Sequence, residues 1–342
     1  MVFEFVTHHG DHQHKNEQHE LSDEEKKQQA EILRESLGSL GNDLSYTQLA
    51  QFLEANSWNQ EHAKHQLEST LIWRQEKKVD FCPVATTKNG LPLLVSVRGF
   101  KYIEDGNIQS NKKLSESAIR ILNYLGGDCF HKFDKEGHPI LIDRTGYHQA
   151  KEIGNDVTGE EIKHFQVACN EFLNRVIMVE ASEKAGKPIH KETIIFDCTH
   201  MGLWQFHMNG LFKLKQVADY VQSYYPETLC RLFVVNAPSA FLVMWKIVRP
   251  WLDPKTLDKV QILGKDYKDV LLKYIDSESL PTFLGGSCSC SHLQGGCVPS
   301  VNEGRIPFLV KTEDNEKIAS VYNSDIMLEA KTNPDYIKVV SS

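Results

Sequence analysis

The chain has 342 residues, of which 41% are apolar and 25% charged, with a formal net charge of −8. That length can bury a large core in one domain and still hold a smaller one. An acidic balance with no offsetting Lys/Arg block argues against a nucleic-acid binder, and no apolar run approaches the ~18–20 residues of a membrane span.

Residues 1–20 hold five histidines (His8, His9, His12, His14, His19) among acidic and amide residues. They read as a solvated tail rather than a metal site, with no secretory signal. Ser22 with Glu25 is a capping box, and Ile32, Leu33 and Leu37 follow at helical spacing. A second helix starts at Ser45 or Tyr46, and Asn59 caps a third. Residues 21–79 are therefore expected to form a small helical lobe packed against the larger domain C-terminal to it.

Residues 80–112 read as a linker with one or two short strands, such as Leu93–Val97, and Leu114–Leu125 as a helix. DKEGHPILID predicts a turn at Lys135–Gly137 and a strand at Pro139–Ile142. Thr158 with Glu161 opens a helix that puts Ile162, Phe165, Cys169, Phe172, Val176 and Val179 on one face. A strand at Thr193–Phe196 and a helix through Leu211, Leu214, Val217, Tyr220 and Val221 come next. Strands at Leu232–Val235 and Val260–Leu263 then flank an apolar helix, and another helix runs from Asp266 to Ile275. Strands alternating with helices predict an α/β domain with a largely parallel sheet.

The helix between the last two strands is capped in this reading by Asn236. It carries Phe241, Leu242, Val243, Met244, Trp245, Ile247, Val248, Trp251 and Leu252, which leave almost no polar face. It is either a buried core helix, the simpler reading of periodicity alone, or one that moves against something apolar. Lys246 and Arg249 would meet anionic phospholipid if it touched a membrane. Glu227 and Lys259 each precede one of two parallel strands, so both belong at the same edge of the sheet. There they make an exposed salt bridge or together hold a polar head.

No P-loop, G-x-G-x-x-G after a strand, H-E-x-x-H or G-x-S-x-G elbow is present, and no catalytic residue is assigned. Five of the eight cysteines are scattered singly, as reduced thiols in a cytoplasmic protein would be. Cys288, Cys290, His292 and Cys297 are spaced too tightly for the usual zinc knuckle, so they read as loop thiols or a disulfide and no metal is assigned.

The order YYPE, a strand ending in NAP, an apolar helix, PWLDP, Lys259 and ILG, then LP-x-FLGG, resembles the CRAL-TRIO lipid-binding family, especially fungal phosphatidylinositol/phosphatidylcholine transfer proteins. With DKEGHPILID and the N-terminal helices, the resemblance covers about Leu21 to Gly286. It implies a three-helix lobe (21–79), a lipid-binding domain (80–299) and a tail (300–342) that wraps the domain or lies apart. It implies a sheet flooring an apolar pocket, closed by a gate helix from about Ser239 to Leu252. Glu227, Lys259 and Thr256 match the family's inositol-headgroup residues. Phe241, Leu242, Met244, Trp245 and Val248 of the gate, with Ile194, Phe196, Phe233 and Val235 of the floor, are the implied pocket.

The implied function is transfer of a phospholipid, phosphatidylinositol first, and a second hydrophobic ligand between membranes. It involves no cofactor and no covalent chemistry. A monomer is expected, with a transient membrane surface and a phosphoinositide kinase as partners. Two departures bear on the ligand. The family's Arg-Lys pair is Asn56-Ser57 here, which removes charge-assisted hydrogen bonds to a phosphate worth ~1.5–3 kcal/mol each. The strand that meets choline in the family reads Glu192-Thr193-Ile194. Both favour the alternative, a carrier of a sterol, a tocopherol-like molecule or haem on the same fold.

Overall fold

The computed structural model describes residues 21–81, 94–96, 99–101, 120–121, 124–126, 128–289 and 297–298. The expectations for the histidine-rich tail, most of 80–112 and 114–125, Cys290, His292 and the 300–342 segment lie outside these residues.

Three helices form the N-terminal lobe: α1 (Asp23–Ser36), α2 (Tyr46–Ala55) and α3 (Gln60–Lys77). Each starts where a side chain accepts a backbone N–H: Ser22 and Ser45 in capping boxes, Asn59 as a simple N-cap. The lobe has a core of its own around Leu33, Leu49, Leu53, Leu67 and Leu71.

A short antiparallel pair, β1 (Leu94–Ser96) and β2 (Gly99–Lys101), precedes the main sheet. That sheet has five strands in sequence order: β3 (Asp128–Phe133), β4 (Pro139–Asp143), β5 (Glu192–Asp197), β6 (Leu229–Val235) and β7 (Val260–Ile262). β4 to β7 run parallel, as expected, and β3 adds an antiparallel edge that the sequence reading missed. Helices α4 (Ala150–Asp156), α5 (Gly159–Phe172), α6 (Met178–Ala185) and α7 (Met208–Tyr224) fall between the strands. The apolar helix α8 (Ser239–Val248), α9 (Pro254–Asp258) and α10 (Lys268–Tyr274) complete the fold.

The capping box of Thr158 and Glu161 forms, but the helix it starts is not one even cylinder. A widened π turn over Leu173–Ile177 separates α5 from α6. The turn shifts the helical phase, so Met178 and Ala181 are buried while Val179, expected on the inner face, is exposed.

The two faces of the sheet bury different side chains. On one, Ile140, Ile142, Ile195, Phe233 and Val235 pack with Leu271 and Ile275 at α10 and with Leu280 and Leu284 beyond it. On the other, α5 and α6 cover the β3–β4 half, with Phe172 and Met178 in a cluster that Leu141 joins. α8 covers the β5–β7 half through Ile194, Phe196, Leu232, Val234, Val260 and Ile262. A polar knot ties the β3–β4 hairpin to its neighbours. Asp134 accepts from Thr193 Oγ1 at 2.7 Å and from Arg231 Nη1 at 2.8 Å.

Candidate functional site

The floor under α8 follows from strand alternation. Ile194 is in register with Leu232 and Phe196 with Val234; Leu232 and Val234 pair in turn with Val260 and Ile262. Phe233 and Val235, expected in the pocket, pair instead with Ile195 and Asp197 and are fully buried in the opposite core. The β6 positions that face α8 are therefore Leu232 and Val234. Alternation gives parity within a strand, but the register between β5 and β6 shifts at Glu192/Thr193, which no single-strand pattern reveals.

β5 is the central strand, yet Ile194 and Phe196 are only half-buried, as are Val260 and Ile262. α8 thus covers its floor incompletely. Its inner stripe is Phe241, Met244, Trp245 and Val248, at i, i+3, i+4 and i+7; Phe241 and Val248 are buried, and Phe241 stacks on Trp245 at 6.2 Å. Leu242, expected among the pocket residues, is on the outer face with Val243 and Ile247, all exposed beside Lys246 and Arg249. The helix runs ten residues and then a single 3₁₀ turn, Arg249–Trp251, shorter than the Ser239–Leu252 helix expected.

Asn236 does not cap this helix. Its backbone is left-handed (φ +53°), and its amide donates to Asp197 Oδ1 at 2.9 Å and Thr199 Oγ1 at 3.0 Å. The N-cap is Pro238, with no side-chain cap bond, so the entry to α8 is held only weakly. At its far end Gln222 clamps the chain by donating to the Trp251 carbonyl at 3.2 Å and accepting from the Asp253 N–H at 3.1 Å.

At the entry edge of the parallel strands, Lys259 Nζ donates to Glu227 Oε2 at 2.9 Å, so the predicted pair forms. Lys191 joins it, 3.3 Å from Glu227 Oε2 and 3.0 Å from Glu54 Oε2 on the N-terminal lobe. Burial works against the Glu227 carboxylate, but Lys259 and Lys191 outweigh it and hold its pKa below the usual value. Burial likewise opposes the charge on Lys191, and Glu54 and Glu227 outweigh it, raising its pKa. The Glu227 backbone is left-handed (φ +56°), which costs a non-glycine residue ~1–3 kcal/mol and is held by the surrounding contacts. Thr256 sits one turn before Lys259, but its hydroxyl is bonded to Asp253 Oδ2 at 2.5 Å, within the cap of α9.

Lys191 and Lys255 escaped the sequence reading. Lys191 had a signal: it directly precedes β5, as Lys259 precedes β7. Lys255 had none; it donates to the carbonyls of Glu54 and Ala55 at the C-terminal end of α2, where a cation is favoured. Asn56, in place of a basic residue, turns inward to the Phe52 carbonyl and Gln66 Oε1 at 2.9 and 2.7 Å. Two lysines of the larger domain thus come to the end of the helix where the family pattern has its basic pair. Among Lys191, Lys255, Lys259, Glu54 and Glu227, cations exceed carboxylates by three to two.

Residues 125–286 match the family model described as the CRAL/TRIO domain. These residues are a CRAL/TRIO domain. The chain is 32% identical over 250 residues to the phosphatidylinositol/phosphatidylcholine transfer protein SFH11 of Arabidopsis thaliana, covering 73% of this chain and 59% of that one. It is 31% identical to SFH12 of the same plant, so named as well, over 80% of this chain and 44% of that one. It is 28% identical to Protein real-time of Drosophila melanogaster, over 75% and 34%. The chain therefore spans about a third to three fifths of these relatives' length. Among solved structures, the crystal structure of Sfh5 superposes with a TM-score of 0.53 at 14% identity, covering 87% of this chain and 97% of that one. That likeness is one of fold. Around the CRAL/TRIO domain, no helix of the described residues is long and apolar enough to cross a membrane.

Proposed function

We propose that this protein carries one phospholipid at a time between membranes. The acyl chains lie between α8 and the β5–β7 floor, and the headgroup sits at Glu227, Lys259 and Lys191. The observation that carries the reading is a charge cluster at the entry edge of a sheet whose apolar face is incompletely covered. Phosphatidylinositol fits the cluster: Glu227 accepts from inositol hydroxyls and the lysines face the phosphate. Lys191 and Lys255 supply the positive charge that Asn56 and Ser57 lack. At ~0.8 kcal/mol per buried CH₂, two acyl chains need a closed cover in water and an open one at a bilayer. The outer face of α8, with exposed Leu242, Val243 and Ile247 between Lys246 and Arg249, suits transient contact with an anionic surface. Exchange requires no covalent step. The setting is cytoplasmic, and a kinase acting on phosphatidylinositol would receive the presented headgroup.

The second ligand differs from phosphatidylcholine in this reading. Glu192, on the strand that meets choline in the family, is buried with no partner for Oε2 among the described residues, and burial pushes its pKa up to about 8. A carboxyl kept neutral at pH 7 donates a hydrogen bond, which suits a hydrophobic ligand with a single hydroxyl or carbonyl. This favours a sterol or tocopherol-like second ligand.

The test is Lys259→Ala in a vesicle transfer assay. Phosphatidylinositol transfer falls at least tenfold while the second ligand still exchanges and the fold is intact. Unchanged phosphatidylinositol transfer overturns the headgroup assignment.

A further inference from the structure

Away from the lipid site, β3 brings a histidine from one part of the chain against two cysteines from another. A ring nitrogen of His131 and the Sγ atoms of Cys288 and Cys297 all lie within 4.8 Å of one another. His131 is wholly buried, and Cys288 and Cys297 are buried with it. Among the described residues, neither Nδ1 nor Nε2 of His131 has a hydrogen-bond partner. A buried polar group left unpaired is costly, and native structures hold few of them without a water or an ion to account for them.

The tight Cys288–Cys290–His292 spacing is no obstacle once His131 supplies the nitrogen. We propose that His131, Cys288 and Cys297 bind a zinc ion, which ties the segment after the LPTFLGG turn to the edge strand β3. Zinc takes imidazole nitrogen at about 2.0–2.1 Å and thiolate sulfur at about 2.3 Å in a tetrahedron. Ligand atoms then stand roughly 3.5–3.8 Å apart, so the three side chains close by at most about 1.3 Å on loading. Cys129, two residues before His131 on β3, is buried in the same cluster, and its Sγ donates to the Cys297 carbonyl at 3.3 Å. In this proposal it becomes the fourth ligand by a larger movement, because its Sγ is not among the three atoms that lie within 4.8 Å of one another. Each cysteine gives up its thiol proton as the metal–sulfur bond forms, so loading releases protons to solvent. The cluster lies on the face of the sheet opposite α8, so the ion holds the fold together and does not touch the lipid.

The test uses the full, reduced chain loaded with cobalt(II) in place of zinc. The near-ultraviolet thiolate-to-cobalt charge-transfer band reports sulfur ligands, which the histidines of residues 1–20 cannot mimic. One equivalent of cobalt gives the band in the wild type; Cys297→Ser loses it and His131→Asn shifts or loses it. Zinc measured by elemental analysis of the purified protein is stoichiometric, and its removal lowers the melting temperature of the wild type but not of Cys297→Ser. If the buried-site variants fail to fold, the wild-type spectrum and zinc content decide. No charge-transfer band in the reduced wild type overturns the proposal. So does a band that survives both substitutions, or a Cys288–Cys297 disulfide whose reduced form takes up no cobalt.

Discussion

Glu227 shows how much of this site rests on single side chains. Its carboxylate stands between Lys259 and Lys191, and its backbone is in a conformation that few non-glycine residues adopt. The pairing was legible because position before a parallel strand is a matter of chain order. The left-handed backbone and the Lys191–Glu54 bridge were not, since both depend on how the lobes meet. Glu192 makes a pH prediction. Its folded pKa of about 8 lies above the ordinary 4.5, so the folded state binds more protons between those values. The stability it contributes is fully present below pH 4.5 and lost as pH rises through 8. Glu192→Gln therefore flattens that loss in denaturation curves across pH 5–8; an unchanged slope shows that Glu192 ionises as freely in the fold as outside it.

α8 was recognisable from its composition, and its function turns on which side chains face in. The inner stripe of Phe241, Met244, Trp245 and Val248 is a period-3.6 pattern. The outer apolar residues broke that pattern and left core and gate readings open in the sequence. The proposed gate rests on the exposure of Val243 and Ile247. The double substitution Val243→Asp/Ile247→Asp lowers membrane-dependent exchange of every ligand several-fold. Both sites are exposed, so stability changes by no more than about 0.5 kcal/mol per site. If one ligand alone is affected, the outer face is not a membrane contact. β3 was missed for a physical reason: one face buries Cys129 and His131, which do not read as apolar, and only Phe130 and Phe133 mark the other.

The lobes are joined by contacts far apart in sequence. Arg74 of α3 donates to Glu171 of α5 at 2.8 and 3.0 Å and to Asp80 at 2.9 Å, and Tyr225 donates to Glu171 at 2.8 Å. All four residues are buried. Beside them Trp73 stacks on Tyr224 at 4.1 Å, edge-on to Tyr220 and Tyr225. The helical lobe was legible because capping boxes are local signals, whereas this junction has no local signal at all. Arg74→Ala leaves Asp80 buried without its cation and Glu171 with Arg175 alone, 3.6 Å away, and destabilises the chain by about 3–5 kcal/mol in chemical denaturation. A loss below about 1 kcal/mol contradicts this account of the junction. Because Glu54 of the same lobe bridges to Lys191, the junction also aligns the charge cluster over the sheet.

The central claim is that this cluster and the floor under α8 hold a phospholipid. Mass spectrometry of lipids extracted from the purified protein tests it most directly. The account predicts phosphatidylinositol among the bound molecules, and a sterol or haem alone would contradict it.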